Sequence, residues 1–449
     1  SDSTIRDQFN RKTAILIFHA GASILTDIDG SQSDLIDVFI TPEFFKYYRD
    51  SLGIQQNGIS VQGKSALLIN EVMMCSETAN QDSTNWGIQS ILVNQIARQL
   101  GIPDLTTSNG APGIGGFCIM DAGLFGGNGF ISPYPSAWVR AFMGWDTPVT
   151  IPLGKVSSCN VKALTSVLDN QTNRTTDTTI VLVPINDHEY YLIENRQRNL
   201  SGNKDLFKYD STMETGKSIG LASWPINVNI DKNVVSSTGK NSSNVISEVV
   251  NNDISIPASG VLVWHVDEKL IRERLPYNFV NIDSTYKGVN LVEADGIADL
   301  GIEFYNAMSQ SVYDVGGSED VFPHITRIND SATVTVNGFG PYTRPSTRSN
   351  DGGQTWLKLE FKPYSSNPRK EYYYRMRGSK EHFVTNFSDS VFTVSVQWDY
   401  LSQSWPKRAA PEQFFEPVVS NLDKSNPDKE LFLLGKSGRF YAWSTDTTI

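Results

Sequence analysis

Histidine, cysteine and charged residues are scarce in this chain. Its 449 residues include 5 His and 3 Cys, and only 19% of them are charged. Cys75, Cys118 and Cys159 are odd in number and widely spaced, so they allow a single disulfide at most. They form no C-x-x-C pair, which excludes a zinc knuckle of that type.

Basic residues are outnumbered by acidic ones. The chain has 38 Lys and Arg against 49 Asp and Glu, a formal net charge of −11. This charge repels phosphate groups, and no basic stripe is interleaved with aromatic residues, so we predict neither a nucleic-acid partner nor attraction to an anionic membrane. Apolar runs of the length needed to span a bilayer, about 18 to 20 residues, are also missing, which argues against membrane insertion.

The first residues, Ser-Asp-Ser-Thr-Ile-Arg, lack the basic and apolar regions of a signal peptide. The chain is therefore expected to be either cytosolic or a mature segment whose signal has been removed. Its polar start, and its end just after a strand-like run, favour a trimmed fragment of something longer.

The spacing of apolar residues predicts an α+β protein. Short apolar runs between Gly, Ser and Asp clusters over residues 12–75 are typical of strands joined by loops. From Trp86 to Leu100 apolar residues recur every three or four positions, which predicts a helix. A second helix is predicted over Pro135–Met143, and the glycine-dense stretch 110–129 between them is expected to form tight turns.

Strand-like patterns dominate after residue 149. The runs are Ile180–Pro184, Tyr190–Ile193, Gly260–Val266, Trp356–Phe361 and Val391–Trp398. We predict three domains: an α/β domain over 1–150, a mostly β region over 151–400, and a partial β module over 401–449. The Asn- and Ser-rich stretch 231–253 is interpreted as a polar surface insertion within the second.

The first helix and the segments after it carry a specific pattern. The helix ends in Leu-Gly-Ile-Pro-Asp-Leu, and Cys-Ile-Met-Asp and Pro-Ser-Ala-Trp-Val-Arg-Ala-Phe-Met-Gly-Trp follow. Further along come the segments 190–197, 260–268 and 287–296. In this order, over about residues 19–353, the chain resembles the immune inhibitor A-type zinc metallopeptidases. The resemblance implies a zincin-like scaffold and a bacterial protein exported to the cell surface or medium.

The chain departs from that family at the residues that perform the chemistry. In the family's H-E-x-x-H motif two histidines hold zinc and the glutamate activates water. Asn94 replaces the first histidine, Gln95 the glutamate and Arg98 the second histidine. Asn is a weak ligand, Gln cannot accept the proton, and a guanidinium repels a divalent cation, so we expect no zinc here and no peptidase activity.

Other catalytic schemes find little support in the sequence. The five histidines are scattered, and a site rebuilt from His19 and His265 is less expected than two hydrogen-bonded structural histidines. Asp104 is interpreted as a cap on the turn after the helix. A hydrolase with a rearranged site would use carboxylates, and the candidates are Asp121, Asp267 and Glu268.

Two acidic groups suit a hard cation such as calcium. The first group is Asp423, Asn426, Asp428 and Glu430, in a segment that resembles the opening blade of an integrin-type β-propeller. Lys424 and Lys429 interrupt this group, which favours a solvated hairpin loop. The second group is Asp295, Asp299 and Glu303, for which a hydrogen-bonded turn is an equal alternative.

The sequence therefore predicts a catalytically inactive metallopeptidase homologue that binds protein or glycan partners outside the cell. Two alternatives stay open. In the first, the chain is a self-assembling structural subunit of a surface layer, sheath or appendage, with tyrosines such as Tyr47, Tyr48 and Tyr372–Tyr374 at its surface. In the second, it is a hydrolase with a rearranged site.

Overall fold

The computed structural model describes residues 14–27, 30–51, 53, 58–60, 68–80, 86–108, 110–169, 177–200, 228–230, 246–249, 251–305, 311–328, 332–353, 355–377 and 380–398. Strand exceeds helix within these ranges, so the protein is broadly α+β and rich in β-structure. The described residues belong to two compact units, one formed by residues up to 103 with 128–130, the other by 104–127 and 131–398. The predicted module 401–449, with its calcium candidates, lies outside the described residues.

The described part of the first unit contains a three-stranded sheet, a separate two-stranded sheet and two helices. Its strands are β1 (Leu16–His19), β2 (Val38–Ile40), β3 (Ile59–Ser60), β4 (Leu68–Ile69) and β5 (Val72–Ser76), and its helices are α1 (Pro42–Tyr47) and α2 (Gln89–Gln99). Strand β5 lies between β1, to which it is parallel, and β2, to which it is antiparallel. Strands β3 and β4 form the separate two-stranded sheet. Helix α2 packs on β5 and β2, which confirms the predicted helix.

The second unit contains three short helices and most of the strands. The helices are α3 (Ala137–Phe142), α4 (Leu164–Asp169) and α5 (Glu268–Arg274). The strands are β6 (Val149–Thr150), β7 (Ser157–Lys162), β8 (Ile180–Pro184), β9 (Glu189–Arg196), β10 (Val228–Ile230), β11 (Ile246–Val249), β12 (Gly260–Asp267), β13 (Val289–Leu291), β14 (Glu303–Tyr305), β15 (Ser311–Tyr313), β16 (His324–Ile328), β17 (Ala332–Val336), β18 (Gly338–Phe339), β19 (Leu357–Pro363), β20 (Arg369–Arg377), β21 (Lys380–Ser388) and β22 (Val391–Trp398). These elements confirm the second predicted helix and the five predicted strands.

A five-stranded sheet in the order β13-β12-β9-β8-β6 is buried on both faces. One face, which includes Ile193 and Val263, shares an apolar core with Leu359 and Val394 of a second sheet, β18-β19-β22-β7. The opposite face is covered by α3, which contacts β9 and β12. This double burial explains why β8 and residues 260–264 of β12 are continuous apolar runs. Strand β22 has one face in the core and alternates between buried and more exposed positions.

The remaining strands form a third sheet and two hairpins. The sheet has the order β17-β16-β21-β20 and is antiparallel throughout, and the hairpins pair β14 with β15 and β10 with β11. Strand β11 falls within the predicted insertion 231–253, and Asp253, at the end of that stretch, is fully buried. Residues 231–245 of the insertion lie outside the described residues.

A network of buried charges joins the five-stranded sheet to its surroundings. Arg196 and Asp253 form an ion pair, with 2.6 Å between Nε and Oδ2. Glu194 Oε2 accepts from Arg140 Nη1 at 2.8 Å, while its Oε1 accepts from Trp264 Nε1 at 2.7 Å and from Arg196 Nη1 at 3.4 Å. These attractions hold the pKa of Glu194 below its usual value although burial works the other way. The positive charges of Arg140 and Arg196 therefore balance the negative charges of Glu194 and Asp253.

The three cysteines are free: Cys75 and Cys118 are buried and Cys159 is half-buried. Burial raises the pKa of the Cys118 thiol, which makes it a poor nucleophile. Among the described residues, no helix combines the length and the apolar content that crossing a bilayer requires.

Candidate functional site

Helix α2 carries the three residues that replace the zinc-binding motif. Asn94 and Gln95 are 2% and 3% exposed, and Arg98 is half-buried. Residues four apart lie on one face of a helix, and Arg98 Nε donates to Asn94 Oδ1 at 2.9 Å. The two positions at which the motif would place its histidine ligands are therefore joined to each other.

The chemistry of this face does not fit zinc. The amide oxygen of Asn94 already accepts from a guanidinium, whose positive charge opposes a nearby divalent cation. Gln95 Oε1 is buried and accepts no hydrogen bond from the described residues. An amide has no proton-accepting form at physiological pH, so Gln95 cannot activate a water molecule.

A second group of polar residues lies in the second unit, around Asp121. The carboxylate oxygen Oδ2 of Asp121 accepts from the backbone N–H groups of Gly113, Ile114 and Gly115 at 2.8, 2.5 and 2.8 Å. Gly115 has φ +78°, and a Cβ atom there would lie 2.4 Å from the carbonyl oxygen of Val315. Glycine is therefore required at this turn. The glycine-rich stretch forms tight turns, as predicted, and they enclose a carboxylate.

Three titratable groups of this region have perturbed pKa values. Burial, with a smaller contribution from the charge of Asp104, raises the pKa of Asp121 to about 7. Burial likewise raises the pKa of Glu293 to about 7, whereas it lowers the pKa of the Lys287 ammonium. Lys287 interacts electrostatically with both carboxyl groups. Groups that titrate near neutral pH and influence one another are typical of acid-base sites and also of buried structural networks.

The carboxylates considered for a rearranged hydrolase occupy different environments. Asp121 lies in the glycine turns, whereas Asp267 caps α5 by accepting from the backbone N–H of Lys269 at 3.0 Å. Glu268 is fully buried and accepts from the hydroxyl of Tyr190 at 2.5 Å. Asp104 donates its backbone N–H to Asn278 Oδ1 at 2.8 Å.

The histidines and the second acidic group also have defined places. His19 lies in β1 of the first unit, and His265 of the second unit has its Nε2 2.8 Å from Glu189 Oε2. In the predicted group Asp295, Asp299 and Glu303, Asp295 forms a hydrogen-bonded turn by accepting from the N–H of Ile297 at 2.8 Å. Asp299 lies instead beside Glu293 and Asp320, their carboxylate oxygens within 4.8 Å of one another. Of the two interpretations of the predicted group, the hydrogen-bonded turn is the one seen at Asp295.

Sequence reasoning missed Lys287, which interacts electrostatically with Asp121, and Glu293, which interacts with Lys287. Both lie in the segment 287–296 that resembles the peptidase family, but no spacing rule joins them to a residue more than 160 positions earlier. Comparisons of the chain with protein-family models, with curated proteins and with solved structures found no match.

Proposed function

We propose that the chain is a catalytically silent relative of the immune inhibitor A-type zinc metallopeptidases. In this proposal a zincin-like scaffold works outside the cell as a binding or assembly module for protein or glycan partners. The observation that supports it best is the 2.9 Å hydrogen bond between Arg98 and Asn94 on α2. It places a cation and an amide where such a peptidase needs two neutral imidazoles.

The direct test is a casein-cleavage assay on the purified chain, with and without a chelator. We expect no chelator-sensitive cleavage, because neither a metal-bound water nor a general base is available on α2. Cleavage that the chelator abolishes would contradict the proposal. Sedimentation of the same sample measures self-association, and a self-associating chain would favour the structural-subunit alternative. The high exposure of Tyr47 and Tyr372 is consistent with that alternative.

A restored helix tests the resemblance itself. The triple variant Asn94→His, Gln95→Glu, Arg98→His is expected to bind one more equivalent of zinc than the unmodified chain, measured by elemental analysis. The control is Arg98→His alone, which supplies a single imidazole and is expected to gain none. Failure of a folded triple variant to gain zinc would count against a zincin-like scaffold.

The second candidate is a hydrolase with a rearranged site at Asp121, Lys287 and Glu293. It is favoured by two carboxyl groups with pKa values of about 7 beside a buried lysine. Such an enzyme would hydrolyse peptide or glycoside substrates without sensitivity to chelators, and Glu293→Gln would abolish its activity. Absence of turnover on a panel of both substrate classes would exclude this candidate.

A further inference from the structure

The turn between β8 and β9 and the end of β12 bring two carboxylates into direct opposition. The antiparallel register of β9 and β12 places Glu189 opposite Asp267. Both side chains are buried, with residue exposures of 1% and 6%. Like charges opposite each other on paired strands are unfavourable, and burial increases that cost because water no longer screens them.

No lysine or arginine of the described residues forms an ion pair with either carboxylate. Glu189 accepts instead from the Asn186 amide, the Asn350 backbone N–H and the His265 ring, at 2.9, 2.7 and 2.8 Å. Asp267 accepts from backbone N–H groups of α5 at Oδ1 and from Asn350 Nδ2, 3.0 Å away, at Oδ2. These donors are neutral unless His265 is protonated, and His188 is the other ionisable group that the described residues bring to Glu189, so the two carboxylates have no permanently charged partner there.

His188 completes the cluster. Its Nε2 lies 3.6 Å from Glu189 Oε1, which is too long for a hydrogen bond. Two ligand atoms about 2.1 Å from one tetrahedral ion are about 3.4 Å apart, so the separation suits two ligands of a single metal. One ligand atom each from His188, Glu189 and Asp267 lie within 4.8 Å of one another.

We propose that His188, Glu189 and Asp267 bind a divalent transition-metal ion, with zinc as the best match. An imidazole with two carboxylates suits zinc, whereas calcium prefers oxygen ligands alone. The two carboxylates carry the charge that neutralises a divalent cation. The ring of His188 is 40% exposed, so an ion and a water ligand can reach the site from solvent.

The surrounding hydrogen bonds orient the ligands. His265 and the Asn350 backbone hold Glu189 Oε2, and the Asn186 amide donates to Oε1, the oxygen nearest His188. The Asn350 side chain holds Asp267 Oδ2. Outer partners of this kind fix ligand orientation in metal sites. A bound ion would connect the β8–β9 turn, the start of α5 and the loop that contains Asn350.

The test is titration of the chelator-treated, dialysed chain with zinc chloride at pH 7.5, followed by calorimetry and thermal unfolding. We expect one-site binding and a rise in the unfolding temperature, with no response to calcium. His188→Ala is expected to weaken zinc binding by more than about 100-fold, and Asn350→Ala by about 10-fold through loss of ligand orientation. The control, His19→Ala in the first unit, is expected to leave the affinity unchanged.

Each outcome decides the proposal. No zinc binding, or binding that a folded His188→Ala variant retains, would overturn it. The zinc titration and the casein assay can fail separately, because one measures zinc affinity and the other measures substrate turnover. The extra zinc equivalent expected of the Asn94→His, Gln95→Glu, Arg98→His variant can be counted in the His188→Ala background, where the site proposed here is disabled.

Discussion

Replacing Arg196 by methionine is expected to lower the free energy of unfolding by about 3 to 5 kcal/mol. The substitution removes the guanidinium that pairs with Asp253 and leaves that carboxylate fully buried. It also removes the donor to the backbone carbonyl of Tyr134, which lies 3.0 Å from Nη2. Urea unfolding at pH 7 measures the loss.

The matched control is a salt bridge at the surface. Lys358 and Glu360 lie 2.6 Å apart with side chains 51% and 38% exposed. Lys358→Met is expected to change stability by less than about 1 kcal/mol, because water already screens this pair. An Arg196→Met variant as stable as the control would show that the buried network contributes no net stability.

Replacing Asp121 by alanine is expected to destabilise the second unit by about 3 kcal/mol or more. Its Oδ2 atom satisfies the backbone N–H groups of Gly113, Ile114 and Gly115, and alanine would leave these three buried donors without an acceptor. Asp121→Asn keeps an acceptor oxygen, so this variant is expected to lose much less stability at pH 7. Thermal unfolding of both variants separates the loss of the acceptor oxygen from the loss of the carboxyl group. Equal losses of stability in the two variants would contradict this explanation.

The same residue makes stability depend on pH. The pKa of Asp121 is about 7 in the folded chain and near 4 when unfolded, so the folded state binds the proton more tightly. The contribution of Asp121 protonation to the free energy of unfolding is complete below pH 4 and is lost as the pH rises through 7. The loss is on the order of 4 kcal/mol. Glu293, whose pKa is also raised, acts in the same direction. Asp121→Asn should therefore show a smaller decline between pH 4 and 7, and an unchanged decline would assign the effect elsewhere.

The elements that sequence predicted well are those in which local pattern and burial agree. Helix α2 has its apolar residues at helical spacing, and β8 and residues 260–264 of β12 are apolar without interruption because both faces of their sheet are covered. The relation of Asn94 to Arg98 followed from helix geometry alone, since residues four apart share a face.

Long-range pairing of polar residues was beyond the sequence. The stretch ending in Asp253 was interpreted as a surface loop because it is polar, but that residue is buried against Arg196. Likewise, nothing local to Lys287 indicates that its ammonium is buried near two carboxyl groups. In each case the side chain is buried because a partner distant in sequence compensates its charge, and only the fold identifies that partner.

The second sheet closes through strands that are far apart in the chain. Strand β22 lies between β19 and β7, and its register places Phe392 opposite Val161 and Val394 opposite Cys159. During synthesis β7 therefore leaves the ribosome long before β22, the strand that pairs with it among the described residues, and its edge lacks that partner until β22 has emerged. Growing chains that stop short of β22 would expose free strand edges on β7 and β19, and such edges favour pairing with other chains.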